Sequence, residues 1–194
     1  PVMFTFFTMG FVDLVGIATN YVKEDFTLSD TMANLLPSMV FLWFLVCSVP
    51  TGMLMNKIGR RKTVIISVLV TFLSLLVPLI EYSYSMMLIS FALLGIGNAM
   101  MQVSLNPLLS NVVSGHLLAS SLTLGQFFKA IASFLAPIIT AWAVVEFGNW
   151  RMLYPIFASI SLIAAFWLLF TSVEEQKTEG KTSTFSQCFS LLGN

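Results

Sequence analysis

The sequence predicts an all-α membrane protein of six transmembrane helices, and three observations carry that reading. Of its 194 residues, 57% are hydrophobic and 9% charged, against roughly 25% charged in an ordinary soluble domain. The mean hydropathy is +0.91. Apolar runs long enough to span a bilayer, which takes about 20 residues, recur along the chain with only short connections between them.

The runs lie near residues 2–22, 32–55, 63–82, 86–112, 118–145 and 150–172. The first opens at Pro1 without the basic n-region or small-residue cleavage site of a signal peptide, so it reads as a resident helix of a chain trimmed at its start. Ser29 with Asp30 before the second run, and Ser85 before the fourth, read as N-caps. Pro37, Pro50, Pro78, Pro107, Pro137 and Pro155 fall within or beside the runs. Transmembrane helices tolerate proline because neighbours re-satisfy the freed backbone groups.

Nine basic residues balance nine acidic ones, which gives no reason to expect a nucleic-acid partner; their placement is more informative. Lys57, Arg60, Arg61 and Lys62 follow the second run, and Lys177 and Lys181 follow the sixth, against Lys23 and Arg151 on the other side. The positive-inside rule then puts the basic side and both chain ends in the cytoplasm, with the chain in the inner or plasma membrane. Cys47 is in an apolar run and Cys188 in the polar tail, so neither a disulfide nor a metal pair is expected. No cofactor is expected either.

Two charges remain at membrane depth. Asp13 and Lys129 lie near the centres of the first and fifth runs, where a charge costs about 2.5 to 3.5 kcal/mol on insertion scales and needs a partner or a wet cavity. Polar residues recur around them at helical steps: Thr5, Gly16 and Asn20 with Asp13, and Gln126, Ser133, Pro137 and Thr140 with Lys129. The fourth run adds Asn98, Gln102 and Asn106 at i, i+4 and i+8. The plainer reading makes these amides and hydroxyls interhelical glue and Asp13 with Lys129 a buried ion pair. The functional reading makes Asp13, Asn20, Gln102, Asn106, Gln126 and Lys129 the lining of a substrate cavity.

The most specific motif is "GMLMNKIGRRK". Its Gly52, Asn56, Lys57, Gly59, Arg60, Arg61 and Lys62 resemble the signature loop between helices 2 and 3 of the major facilitator superfamily, with Asn56 in place of the usual acidic residue. The glycines suit a tight turn and close helix approach, and the basic residues suit helix C-termini. "FGNWRMLY" is similar to the Gly-Trp-Arg-aromatic turn between helices 5 and 6 of that family. "GIGNAMMQVSLNPLL" with "GQFFKAIASFLAP" resembles its fucose permease group of sugar-proton symporters. The group's fucose symporter has a carboxylate where Gln102 stands here and an amide at Lys129, so this cavity is more positive.

The resemblance implies half of a major facilitator fold. Residues 1–173 would be the N-terminal six-helix bundle, built as two inverted three-helix repeats over about 2–82 and 84–172. Residues 174–194 would be a cytoplasmic linker and the start of a following segment, with a C-terminal six-helix half absent from this chain. It implies a secondary transporter, not an enzyme, in contact with lipid and moving a small polar substrate, a sugar first, with protons as candidate coupling ions. Sugar acids or other organic anions with Lys129 as counter-ion are the alternative. An intramembrane serine protease would need a Ser and His together at depth, whereas His116 is in a turn. A channel rests on Asn106-Pro107 alone.

Overall fold

The computed structural model describes residues 1–113 and 115–171, and these are helical almost throughout. α1 (Val2–Met9), a 3-10 turn (Gly10–Asp13) and α2 (Leu14–Asp25) make the first span. α3 (Asp30–Ile58), α4 (Arg60–Ile80), α5 (Tyr84–Val112) and α6 (Leu117–Phe147) make the next four. A second 3-10 turn (Trp150–Met152) leads into α7 (Leu153–Phe170), the sixth. The protein is an integral membrane protein, since six helices have the length and composition to span a bilayer. The expected linker from residue 174 onward lies outside the described residues.

The helices start and stop where local chemistry directs. Ser29 caps α3, its hydroxyl accepting from the Met32 amide at 3.4 Å. The cap of α5 is Ser83, which accepts from the Met86 amide at 3.4 Å. Ser85, the expected cap, is already inside the helix. The reason is that Ser83 is the residue in extended backbone, at φ −132° and ψ 158°, where a side-chain oxygen reaches the first turn. Gly59, at φ 95°, makes the one-residue turn between α3 and α4. Pro37, Pro50, Pro78, Pro107 and Pro137 all lie inside helices.

Alternating direction gives the bundle two ends. The basic end holds Pro1, the Gly59 turn, Val113 and Thr171; the other, aromatic end holds the turns at 25–30, 80–84 and 148–150. α5 lies along both α3 and α4, α4 along α7, and α6 along α1 and the first 3-10 turn. The second span therefore pairs with the fourth, the fifth with the first, and the third with the sixth. Exchanging spans 1–3 for 4–6 maps these three pairings onto themselves, the pattern of inverted repeats, and the third span packs along the fourth as well.

Two glycines fix the tightest crossings. A Cβ at Gly10 would stand 2.6 Å from the Lys129 carbonyl oxygen and 2.7 Å from the Ala132 Cβ. One at Gly95 would stand 2.4 Å from the Val40 carbonyl oxygen. They are counterparts, one in the first span against the fifth and the other in the fourth against the second. Small residues of this kind let transmembrane backbones approach closely where lipid supplies no hydrophobic drive.

Two apolar clusters fill the bundle. Phe11, Leu36, Met87, Leu153 and Phe157 belong to the one that reaches Trp150 at the aromatic end. Phe6, Val64, Val68, Leu105 and Leu168 belong to the one nearer the basic end. Most buried hydroxyls bond back to their own helix, as Thr71 does to the Ser67 carbonyl at 3.0 Å; Ser90 crosses to the Ser74 carbonyl at 2.7 Å. Of the residues read as interhelical glue, Ser133 does bond across spans, to Asp13, whereas Thr5 and Thr140 bond back to Pro1 and Ala136. The second and fifth spans are the least covered, with 17% and 22% of their apolar windows buried against 44–56% for the rest.

A side chain at Gly95 meets backbone that cannot yield, so Gly95→Val should destabilise the bundle by about 1–3 kcal/mol, lowering the detergent melting temperature by several degrees. Gly52→Ala, where a Cβ meets nothing within 4 Å, should leave it unchanged or slightly raised. Equal melting temperatures for the two variants would refute the crossing argument.

Candidate functional site

At mid-depth the first, second, fourth and fifth spans leave a cleft of about 210 Å³. Its polar lining is Asp13, Asn98, Gln102 and Lys129, contributed by three spans. The second span supplies an apolar wall of Val40, Phe41 and Phe44. Hydroxyl- or charge-binding groups facing aromatic rings can hold a small solute with both polar and apolar faces.

The Asp13 carboxylate and the Lys129 ammonium do not pair. Among the described residues the ion pair present is Lys23–Asp30, 2.5 Å apart on the exposed surface. The Asp13 carboxylate instead accepts a hydrogen bond from Ser133, whose hydroxyl also lies 3.0 Å from the Lys129 carbonyl oxygen. The Gly10 crossing explains this choice. It presses the first span against residues 129–133, so the group that meets Asp13 is one helical turn beyond Lys129. The Lys129 ammonium, half-buried, has no hydrogen-bond or ion-pair partner among the described residues.

Three expected lining residues lie elsewhere. Asn20 sits in a separate hollow with Lys23, Glu24 and Thr27 near the aromatic end. Asn106 and Gln126 are exposed, one helical turn from Gln102 and Lys129 towards the basic end. Sequence reading missed Phe41 and Phe44, which carry no polar signal, and the role of Ser133 as partner to Asp13.

The basic turn grips two helix ends. The Arg60 guanidinium donates to the Pro107 carbonyl at 2.9 Å and to Asn111 Oδ1 at 2.5 Å, at the C-terminus of α5. Arg61 donates to the Leu168 and Leu169 carbonyls at 3.0 and 2.8 Å, at the C-terminus of α7. Arg61 satisfies carbonyls left free at the end of α7, Arg60 joins Ser110 on a carbonyl one turn before the end of α5, and both meet the negative end of a helix dipole. Asn56, Lys57 and Lys62 are exposed, and Gly52 faces open space.

The aromatic end has a counterpart. The Asp25 carboxylate, at the end of α2, accepts from the Tyr82 hydroxyl at 2.5 Å and from Trp150 Nε1 at 2.9 Å. The Arg151 guanidinium lies 4.5 Å from the centre of the Tyr82 ring. The Trp-Arg turn thus holds the ends of the first and third spans, as the Arg-Arg turn holds the fourth and sixth. Burial first, then the Asp25 hydrogen bond, push the Tyr82 phenol well above the usual tyrosine range.

A family model described as the Major Facilitator Superfamily matches residues 2–192. The chain belongs to that superfamily. It is 27% identical over 145 residues to a glucose/galactose transporter of Brucella abortus biovar 1 (strain 9-941), a match covering 73% of this chain and 35% of that protein. The fold is similar to that of the E. coli fucose:proton symporter FucP, with a TM-score of 0.74 at 15% identity, covering 99% of this chain and 54% of that one. A peptide transporter, POT, is as similar, with a TM-score of 0.76 at 14% identity over 87% of this chain and 36% of that one. These structural likenesses establish the fold alone, since sugar and peptide transporters share it. The chain spans about half or less of the length of each of these proteins.

Arg60→Ala should speed amide hydrogen exchange over the last turn of α5 and lower the melting temperature, a charged hydrogen bond contributing about 1.5–3 kcal/mol. Arg60→Lys should restore little, because an ammonium lacks the planar fork; wild-type exchange in Arg60→Ala would refute the capping role. For Tyr82, whose folded value is raised, the stabilisation is complete below the ordinary tyrosine range and is lost only as pH climbs through the raised value. Tyr82→Phe should therefore lower the melting temperature by roughly 2–4 °C, by the same amount from pH 6 to 9. A decrement that shrinks towards pH 9 would contradict it.

Proposed function

We propose that this chain is the N-terminal half of a secondary transporter that moves a small polar solute, a sugar, by alternating access. The observation that carries the reading is the cleft, where Asp13, Asn98, Gln102 and Lys129 from three spans converge at mid-depth. Binding at the midplane between rocking bundles is how secondary transporters expose one site to each side in turn. The poorly covered second and fifth spans suit packing against a C-terminal six-helix half. The sugar assignment draws support from the glucose/galactose transporter and the fucose:proton symporter.

Within this reading Asp13 is the proton-carrying group and Lys129 and Gln102 bind substrate. Asn106, Gln126 and Asn20 line the approach on either side of the site. The Gly52–Lys62 segment acts as a latch: Arg60 and Arg61 hold the ends of the fourth and sixth spans, so a change of tilt between those spans would strain these contacts. The basic end faces the cytoplasm of an inner or plasma membrane, following the positive-inside rule. The tail from residue 174 serves as the linker between halves.

One observation favours a second reading. Lys129 offers the cleft an ammonium with no ion-pair or hydrogen-bond partner among the described residues, which suits the carboxylate of a sugar acid or another organic anion.

Counterflow in proteoliposomes with the intact gene product tests both readings. Saturable exchange of neutral sugars, accumulated by an inward proton gradient, is the expected result. Exchange confined to sugar acids would replace it with the anion reading, and no exchange of either would overturn transport of this class. Lys129→Ala should abolish uptake while leaving the melting temperature within about 2 °C of wild type, since a cavity charge contributes little to packing. Normal uptake by that variant would remove Lys129 from the site.

A further inference from the structure

Asn98 is the cleft residue whose chemistry is unfinished. It lies on α5, one turn before Gln102, and is 7% exposed. Its amide oxygen is buried and accepts no hydrogen bond among the described residues. An amide in that condition is costly, because a buried acceptor gives up water and receives nothing.

The surroundings limit what can satisfy it. Behind Asn98, towards Thr8, Thr71 and Met101, the space between the first, third and fourth spans leaves no room for even a water molecule. The hydroxyls there are already committed: Thr8 donates to the Thr5 carbonyl at 2.8 Å and Thr71 to the Ser67 carbonyl at 3.0 Å. The remaining open side is the cleft. The oxygen is turned away from that side, and a half-turn about χ2 exchanges it with the nitrogen, so the amide offers the cleft a donor or, flipped, an acceptor, its other atom staying in the dry space behind. The matching ligand group is a hydroxyl, which is itself both.

Resting on the sugar reading above, we propose that Asn98 is a specificity-determining residue that binds one hydroxyl of the substrate, making the site selective for a polyhydroxylated solute over its deoxy analogue. A site that hydrogen-bonds a hydroxyl rejects the analogue lacking it, because its own polar group is then stranded. A residue serving only as interhelical glue would do no such thing. It would have a protein partner, and Asn98 has none among the described residues.

The test uses the intact gene product, a panel of singly deoxygenated hexoses, and the variants Asn98→Ala and Asn98→Leu. In the unmodified protein one analogue should be transported with a kcat/KM at least about 10-fold below its parent. Both variants should transport the parent more weakly and treat that analogue and its parent alike, within about 2-fold. Their ligand-free melting temperatures should equal or exceed that of the unmodified protein, because an unsatisfied amide has been removed, and the rise in melting temperature on adding the parent sugar should shrink. Retained discrimination in the variants would overturn the assignment. So would a lowered ligand-free melting temperature or failure of both to fold, which would mark Asn98 as a structural group. Absence of any sugar counterflow by the unmodified protein, read in the same assay, would remove the transport reading and this inference with it.

Discussion

The walls of the cleft depend on two places where one helix backbone rests directly on another. At Gly10 the first span meets the carbonyl of Lys129 and the Cβ of Ala132, and at Gly95 the fourth meets Val40. In lipid, helices gain little by hiding apolar surface from water, so dispersion at close approach decides which helices pair. These crossings draw the first and fourth spans against the fifth and second. The cleft is the space left where the paired helices diverge, and Asp13, Val40 and Lys129, which line it, lie at or within one turn of the contacts.

The two ends of the bundle are tied by different chemistry. Each span ends in carbonyls that no residue of its own helix can satisfy. At the basic end, guanidinium groups from the Gly59 turn meet the C-termini of α5 and α7 directly. At the aromatic end the tie is indirect: the Asp25 carboxylate collects an indole and a phenol, and Arg151 lies over the phenol ring.

The spans were legible in the sequence because hydropathy over about 20 residues is a strong signal. Asp13 and Lys129 were legible because intramembrane charge is rare, and Arg60 and Arg61 because a basic turn suits helix C-termini. What sequence could not supply was rotation about the helix axis. The stripe of Thr5, Asp13, Gly16 and Asn20 assumes one uninterrupted α-helical period, yet Thr5 is fully buried while the other three are exposed. The 3-10 turn between them breaks that period, and nothing in "GFVD" announces it. The partner of Asp13 was hidden for a related reason: charge complementarity nominated Lys129, but the crossing at Gly10 brings Ser133 opposite. Phe41 and Phe44 were silent because an aromatic residue facing lipid and one facing a cleft look alike in one dimension.

That 3-10 turn has a mechanical consequence. Its residues rise about 2.0 Å each and turn about 120°, against about 1.5 Å and 100° in an α-helix. Over the four residues Gly10–Asp13, rewinding to α-helix would shorten the first span by about 2 Å and swing Asp13 by about 80° relative to α1. The winding of these four residues therefore sets, at the depth of the cleft, which way the first span turns its carboxylate, while Asp25 ties the span at its aromatic end.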